Sequence, residues 1–244
     1  MSVWTAALGL SVIGSVGGLI VGAIFLGVSE TTRKRVVPWL VSYAVGTLLG
    51  ASLLALLPSA LETVAPQRAL GTLLAGILTF FILEKLVLWR HCHDDDECQV
   101  HQSTAVMVIV GDAIHTFVDG AVIAAATLAS VPLGLTAALA VAAHEIPQEA
   151  GDFAILLAAG YSRRRALVLN ATSALGGVAG ASAMLLFGQA APMIEPYVLA
   201  FAAGNFLYVA MADLIPTLHR GHLDSNAVRQ VVLIALGVLT IALL

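Results

Sequence analysis

Eight apolar windows follow one another along the chain, separated by short polar breaks: residues 3–28, 36–57, 70–88, 106–128, 133–159, 166–190, 197–218 and 226–244. A helix needs about 20 apolar residues to cross the hydrocarbon core of a bilayer. In lipid only helices and closed barrels satisfy their own backbone. The windows are continuous rather than alternating, which argues against a barrel. Only 11% of the 244 residues are charged, against roughly 25% in a soluble domain, so no polar shell could cover a sphere. The chain reads as an all-α polytopic membrane protein with eight transmembrane helices, one domain over 1–244, and no room for a separate soluble domain. The apolar composition excludes a cytosolic enzyme, and Cys92 and Cys98 as the only cysteines exclude a disulfide scaffold. Nucleic acid is not an expected partner, given a net charge of −4 and no long basic tract. The first window lacks the basic start and small-residue cleavage site of a signal peptide.

Charge in the breaks orients the windows. Arg33, Lys34 and Arg35 lie in the first break, Lys85 and Arg90 flank the third, Arg163, Arg164 and Arg165 fill the fifth, and Arg220 and Arg229 flank the seventh. Arg68, in the second, is the one exception among eleven basic residues. By the positive-inside rule the odd-numbered breaks are cytoplasmic. Both termini of the chain then face the extracytoplasmic side of an inner or plasma membrane. The two halves also echo one another. Gly14-Ser-Val-Gly-Gly18 in window one matches Gly176-Gly-Val-Ala-Gly180 in window six, and Leu56-Leu-Pro-Ser59 matches Leu214-Ile-Pro-Thr217. Paired windows cross in opposite senses, the pattern of an inverted repeat.

Windows four and five are anomalous. The fourth contains Gly111-Asp-Ala-Ile-His-Thr-Phe-Val-Asp-Gly120, the fifth His144-Glu-Ile-Pro-Gln-Glu-Ala-Gly-Asp152. One charged side chain at the bilayer centre costs about 2.5–3.5 kcal/mol on insertion scales. Asp112, Asp119, Glu145, Glu149 and Asp152 therefore need compensation, and no Lys or Arg lies between Arg90 and Arg163. Buried acids without basic partners either hold protons or share a bound cation. Asp112, His115 and Asp119 fall at i, i+3 and i+7, along one helical stripe. His144 and Gln148 lie at i and i+4, and Glu145, Glu149 and Asp152 form an adjacent stripe. The short turn at Ser130 makes the two helices antiparallel neighbours, so these groups can meet. Imidazole with carboxylate suits Zn²⁺, Fe²⁺ or Mn²⁺. Asn170 in window six and Asp213 in window seven are further polar groups for the site or its pathway.

Residues 91–104 form a His/Asp/Cys-rich break. His91, His93 and His101 stand there with Cys92, Cys98 and four acids. That density fits transient metal capture on the cytoplasmic side, where both thiols stay reduced. It lacks the spaced Cys/His pairs of a structural zinc site.

At His144-Glu-Ile-Pro-Gln-Glu-Ala-Gly-Asp-Phe153 the chain resembles the ZIP family of divalent-metal transporters, in particular the branch reading H-E-x-P-H-E-x-G-D-F. Gly111-Asp-Ala-Ile-His115 with Asp119-Gly120 is similar to the same branch's G-D-x-x-H-N-x-x-D-G. The resemblance implies a metal centre from His115, Asp119, His144 and Gln148. Glu145, Thr116 and Asn170 would serve a neighbouring position. It also implies import toward the cytoplasm, a 3+2+3 arrangement of helices, a homodimer, and movement of spans one, four, five and six against the rest. Gln148 stands where the branch has His, Thr116 where it has Asn, and Ala51 and Ala55 where many members carry Asp and His.

The expected activity is secondary transport of divalent transition metals, Zn²⁺ foremost with Fe²⁺, Mn²⁺ and Cd²⁺ beside it. The expected partners are those ions and the lipid bilayer. The metal is cargo, and no resident cofactor and no nucleotide are expected, since no nucleotide-binding motif appears. An intramembrane metal-dependent protease is the alternative, but its helical signature needs a second His at i+4, where Gln148 stands. A haem protein using His115 and His144 would place Asp119 and Glu145 against the apolar pocket that haem requires.

Overall fold

The computed structural model describes residues 2–25, 27–89, 100–218 and 225–244; among them the chain is helical throughout, without strands. In chain order, α1 is Val3–Phe25. The second helix, α2, comprises Glu30–Gly50, a π-helical turn Ala51–Leu56, and Leu57–Thr63. Then come α3 (Pro66–Trp89), α4 (Val100–Ala129), α5 (Val131–Ala158) and α6 (Arg163–Ala190). The seventh, α7, comprises Glu195–Tyr208, a π turn Val209–Leu214 and Ile215–Leu218, and α8 is Ser225–Ala242. Six of these helices are long and apolar enough to cross a membrane, and Ala227–Ala242 is a shorter apolar helix. The all-α, polytopic architecture is therefore as the windows imply. The remaining helix, α5, is made less apolar by its own His144–Asp152 run, yet it packs against α1, α2, α4 and α6. Because α4 begins at Val100, the loop expected over 91–104 ends sooner, with 100–104 helical. His91 and His93 lie outside the described residues, and His101 falls on the first turn of α4.

Local chemistry sets the ends that matter. Ser130 caps α5, its hydroxyl accepting from the Leu133 amide at 3.2 Å, with Pro132 in the first turn where a missing N–H is harmless. This one-residue break forces α4 and α5 to run antiparallel. Ser162 caps α6 in the same way through the Arg165 amide at 3.3 Å.

Contacts between helices fall into mates. The helices α1 and α5 pack as α6 and α4 do, and α2 packs on α8 as α7 packs on α3. Exchanging one with six, two with seven, three with eight and four with five leaves this pattern unchanged, as a 3+2+3 inverted repeat requires. The two sequence echoes are its hinges. Pro58 and Pro216 lack an amide hydrogen for the preceding turn. In both cases the helix widens before the proline: Leu57 N–H bonds to Ser52 O and Ile215 N–H to Ala210 O, each five residues back. The glycine runs let backbones touch. A Cβ on Gly180 would overlap the Phe117 carbonyl of α4, and one on Gly18 would overlap the Glu145 Cβ of α5.

The interior is divided along the helix axes. A dry cluster including Leu48, Leu56, Ile123, Val141, Leu185 and Phe206 fills the end of the bundle near Ser130. The opposite half, where the basic breaks lie, holds a cavity of about 740 Å³ walled by α2, α3, α4, α5 and α7.

Candidate metal centre

Four side chains from α4 and α5 converge where the dry cluster meets the cavity: His115, Asp119, His144 and Glu145. One ligand atom from each lies within 4.8 Å of all the others. The His144 Nε2 is 3.1 Å from the Asp119 Oδ2 and 3.1 Å from the His115 Nε2. The His115 Nε2 is 3.4 Å from the same Asp119 oxygen and 4.0 Å from the Glu145 Oε1. Four ligands around Zn²⁺ at 2.0–2.1 Å would stand about 3.3 Å apart in a tetrahedron. The observed spacings bracket that value.

The histidine orientation is supported from behind. His144 Nδ1 lies 2.9 Å from the Ala140 carbonyl, one turn back on α5. A carbonyl can only accept, so Nδ1 carries the hydrogen, and Nε2 is turned inward toward Asp119 and His115. Fixing the tautomer through the outer nitrogen is the usual support of a metal-binding imidazole. Phe206 packs edge-on to the His144 ring at 5.8 Å between centroids, and Phe80 to the His115 ring at 5.9 Å. Asp119, His144 and Glu145 are buried, and His115 keeps 12% of its side chain exposed. Among the described residues, Asp119 Oδ1 and Glu145 Oε1 have no hydrogen-bond partner. Inward ring nitrogens and unpaired carboxylate oxygens in a dry setting are what a cation would satisfy.

The other expected residues sit around this centre rather than in it. The Gln148 amide donates to Asp112 Oδ1 at 3.1 Å. Ser173 of α6 donates to Asp112 Oδ2. Thr116 donates to the Asp112 carbonyl at 2.7 Å. Asp112, Gln148 and Thr116 thus form one hydrogen-bonded group beside the ligands. Glu149 and Asn170 are buried next to each other between α5 and α6. Asp152 and Asp213 line the cavity, where Tyr208 donates to Glu84. The histidines of residues 91–101 contribute no described side chain. Sequence reasoning missed Ser173, Phe80, Phe206 and Tyr208. Ser173 was visible as a polar residue one turn from Asn170; the two Phe rings carried no signal, being apolar in apolar helices.

Residues 89–244 match the ZIP Zinc transporter family. The chain belongs to that family. It is 35% identical over 220 residues to zinc transporter ZIP13 of Pongo abelii, covering 84% of this chain and 65% of that protein. It is 47% identical over 112 residues to zinc transporter ZIP4 of Homo sapiens, covering 46% of this chain and 17% of that one. Against zinc transporter ZIP10 of Danio rerio the identity is 42% over 124 residues, or 51% and 15% of the two chains. The chain thus spans less than two thirds of the length of these relatives. A protease finds no support beside this membership: the position that would carry the second zinc-binding His is the Gln148 amide, turned to Asp112.

Proposed function

We propose that the protein carries divalent transition-metal ions, Zn²⁺ foremost, across the membrane into the cytoplasm. His115, Asp119, His144 and Glu145 serve as its binding site. The observation that carries this reading is the four-ligand cluster of α4 and α5, seated at the inner end of a cavity that opens toward the basic breaks. By the positive-inside rule that end is cytoplasmic, and the dry cluster closes the other. The arrangement corresponds to an inward-facing state. A cation reaching the site from outside would require the bundle to open at the dry end and close around the cavity.

The driving force needs no nucleotide. Two positive charges entering a negative interior gain about 4.6 kcal/mol per 100 mV, at about 2.3 per charge. The cavity walls supply Asp112, Asp152 and Asp213 along the outward path from the ligands to the cytoplasm. Carboxylate and amide oxygens hold Zn²⁺ less firmly than imidazole does, so an ion leaving the histidines meets successively weaker partners. The loop residues His91, His93 and His101 would receive or sense metal after passage. Names of the relatives support Zn²⁺ as the first substrate to test.

The test is uptake into vesicles reconstituted with the purified protein, with Zn²⁺, Fe²⁺, Mn²⁺ and Cd²⁺ in competition. Saturable uptake of Zn²⁺ that responds to an inside-negative potential is expected. Vesicles that take up none of the four ions above the protein-free background would overturn the proposal.

A further inference from the structure

We propose that the cavity on the cytoplasmic side of the metal centre also binds a single-chain amphiphile with an ammonium head, taken from the surrounding leaflet. Its consequence for transport rests on the reading of that cavity as the exit. The starting point is a mismatch between wall and cargo. A divalent ion leaving His115 and His144 needs oxygen atoms along its way, and Asp112, Asp152 and Asp213 supply them. Much of the remaining wall is apolar: Val37 and Val41 of α2, Phe80 and Leu83 of α3, Val209 and Leu214 of α7. An ion has no use for such a surface. A cavity of about 740 Å³ lined in this way falls within the range of small-molecule sites, about 300–1,000 Å³ with apolar walls and a few placed polar groups.

The polar groups of the wall are unequally placed. Glu84 lies one turn, and Asp213 two turns, nearer the cytoplasmic end than Phe80 and Phe206, the rings that touch His115 and His144. Asp152 stands two turns beyond His144 on α5. Val209, one turn before Asp213, and Phe80 lie deeper. Carboxylates at the cytoplasmic end with hydrocarbon toward the midplane repeat the polarity gradient of one leaflet. Glu84 accepts from Tyr208. Among the described residues, Asp152 and Asp213 accept no hydrogen bond, and no Lys or Arg lines the cavity.

The bilayer has a way in. The helix α3 packs mainly on α7, and Phe80 reaches across to the His115 ring of α4. Ile114, beside His115, lines the cavity and is itself exposed, as are Val110 and Phe117 one turn away on the same face of α4. The cavity thus reaches the lipid-facing side of α4, and a chain dissolved in the leaflet enters past Ile114. Charge selects the occupant. A phospholipid phosphate would be set among carboxylates with no described cation to meet it. An ammonium head has three donors and forms charge-assisted bonds with Asp213, Glu84 and Asp152, while its chain covers the apolar wall. Such an occupant plugs the exit of the inward-facing state.

The experiment is equilibrium binding of radiolabelled dodecylamine to the full chain in nanodiscs of zwitterionic phospholipid, against protein-free discs, with Zn²⁺ uptake measured beside it in vesicles. Wild type should bind one saturable equivalent, displaced by unlabelled dodecylamine but not by dodecanol, dodecyl sulfate or butylamine at the same concentration. Glu84→Gln paired with Asp213→Asn should weaken binding by about tenfold or more. Val41→Trp, which adds bulk to the apolar wall and leaves every carboxylate in place, should abolish it. Zn²⁺ titration of each variant checks that the four-ligand centre is intact. In vesicles dodecylamine should slow wild-type uptake. Absence of saturable binding above the protein-free discs overturns the proposal. So does displacement by dodecanol or dodecyl sulfate as readily as by the amine, and so does binding that neither the paired change nor Val41→Trp alters. Saturable, head-selective binding with Zn²⁺ uptake at its full rate would keep the amine site and remove the cavity from the exit path, so the two readings fail separately.

Discussion

The π turn of α2 and the π turn of α7 have the same backbone and opposite chemistry. Both span six residues, both precede a proline by one residue, and both shift a carbonyl to an i+5 partner. The first reads Ala51-Ser-Leu-Leu-Ala-Leu56 and helps build the dry end. The second reads Val209-Ala-Met-Ala-Asp-Leu214, and with Tyr208 and Glu84 it makes the cavity wall polar. Shape in this molecule is thus shared by the two halves, while polarity is not. A symmetric scaffold can open toward either side. Asp213 lines the cavity, and Ala55 stands at the matching place in the other half.

The largest effect should come from the centre, where the halves meet. His115→Ala or His144→Ala should lower Zn²⁺ affinity by at least about a hundredfold, since losing even a supporting partner of a ligand costs 10–100-fold. Uptake titrations at matched membrane expression would measure it, and near-normal uptake in both variants would remove the shared centre. Next comes packing at the two glycine mates. Gly180→Leu drives a side chain into the Phe117 backbone and should cost about 1–3 kcal/mol, read as a lower thermal midpoint and poor recovery in detergent. Gly18→Ala meets the Glu145 Cβ instead. It should disturb binding more than stability, a contrast that metal titration and thermal unfolding read separately.

The π turns provide a smaller and more direct test. Asp213→Ala should reduce the maximal uptake rate several-fold with little change in apparent KM. The mirror change, Ala55→Asp, should lower the apparent KM for external Zn²⁺ by giving the outer opening the acid it lacks. Equal responses to the two changes would show that the asymmetry has no bearing on direction. The smallest effect is expected at Gln148. Its amide is engaged with Asp112 at 3.1 Å, so Gln148→Ala should shift the Zn²⁺ KM by less than about threefold. A shift comparable to that of His144→Ala would return Gln148 to the ligand set that the family resemblance implies.

What the residues could reveal in advance follows from how each signal is generated. His144 and Glu145, with His115 and Asp119 a short antiparallel turn away, were legible because acids without basic partners stand out against apolar helices. The mates Gly14–Gly18 and Gly176–Gly180 were legible as an echo, and the structure gives that echo its reason in backbone contact with α5 and α4. Gln148 entered the ligand set through the family resemblance, and its i+4 spacing places it on the same face as His144. Periodicity gives the face of a side chain but not the partner it finds there, and Asp112 on the neighbouring helix was within reach. Phe80 and Phe206 could not be found at all, since an aromatic residue in a membrane helix looks the same whether it faces lipid or a histidine.

The sequence by itself determined that the chain is a bundle of apolar helices, that α4 and α5 are adjacent and antiparallel, and that their buried acids need compensation by protons or a cation. These are consequences of hydropathy, loop length and charge, which act locally or by simple summation. Only the tertiary structure decided which acids share one centre, which are held by hydroxyl and amide donors, and which end of the bundle is open. Those outcomes depend on how α1, α3, α6 and α7 pack around the central pair. A difference of one helical turn, as between Glu145 and Glu149, carries a carboxylate from two histidines to a single asparagine. Nothing in the spacing of the residues along the chain encodes which helix will stand there.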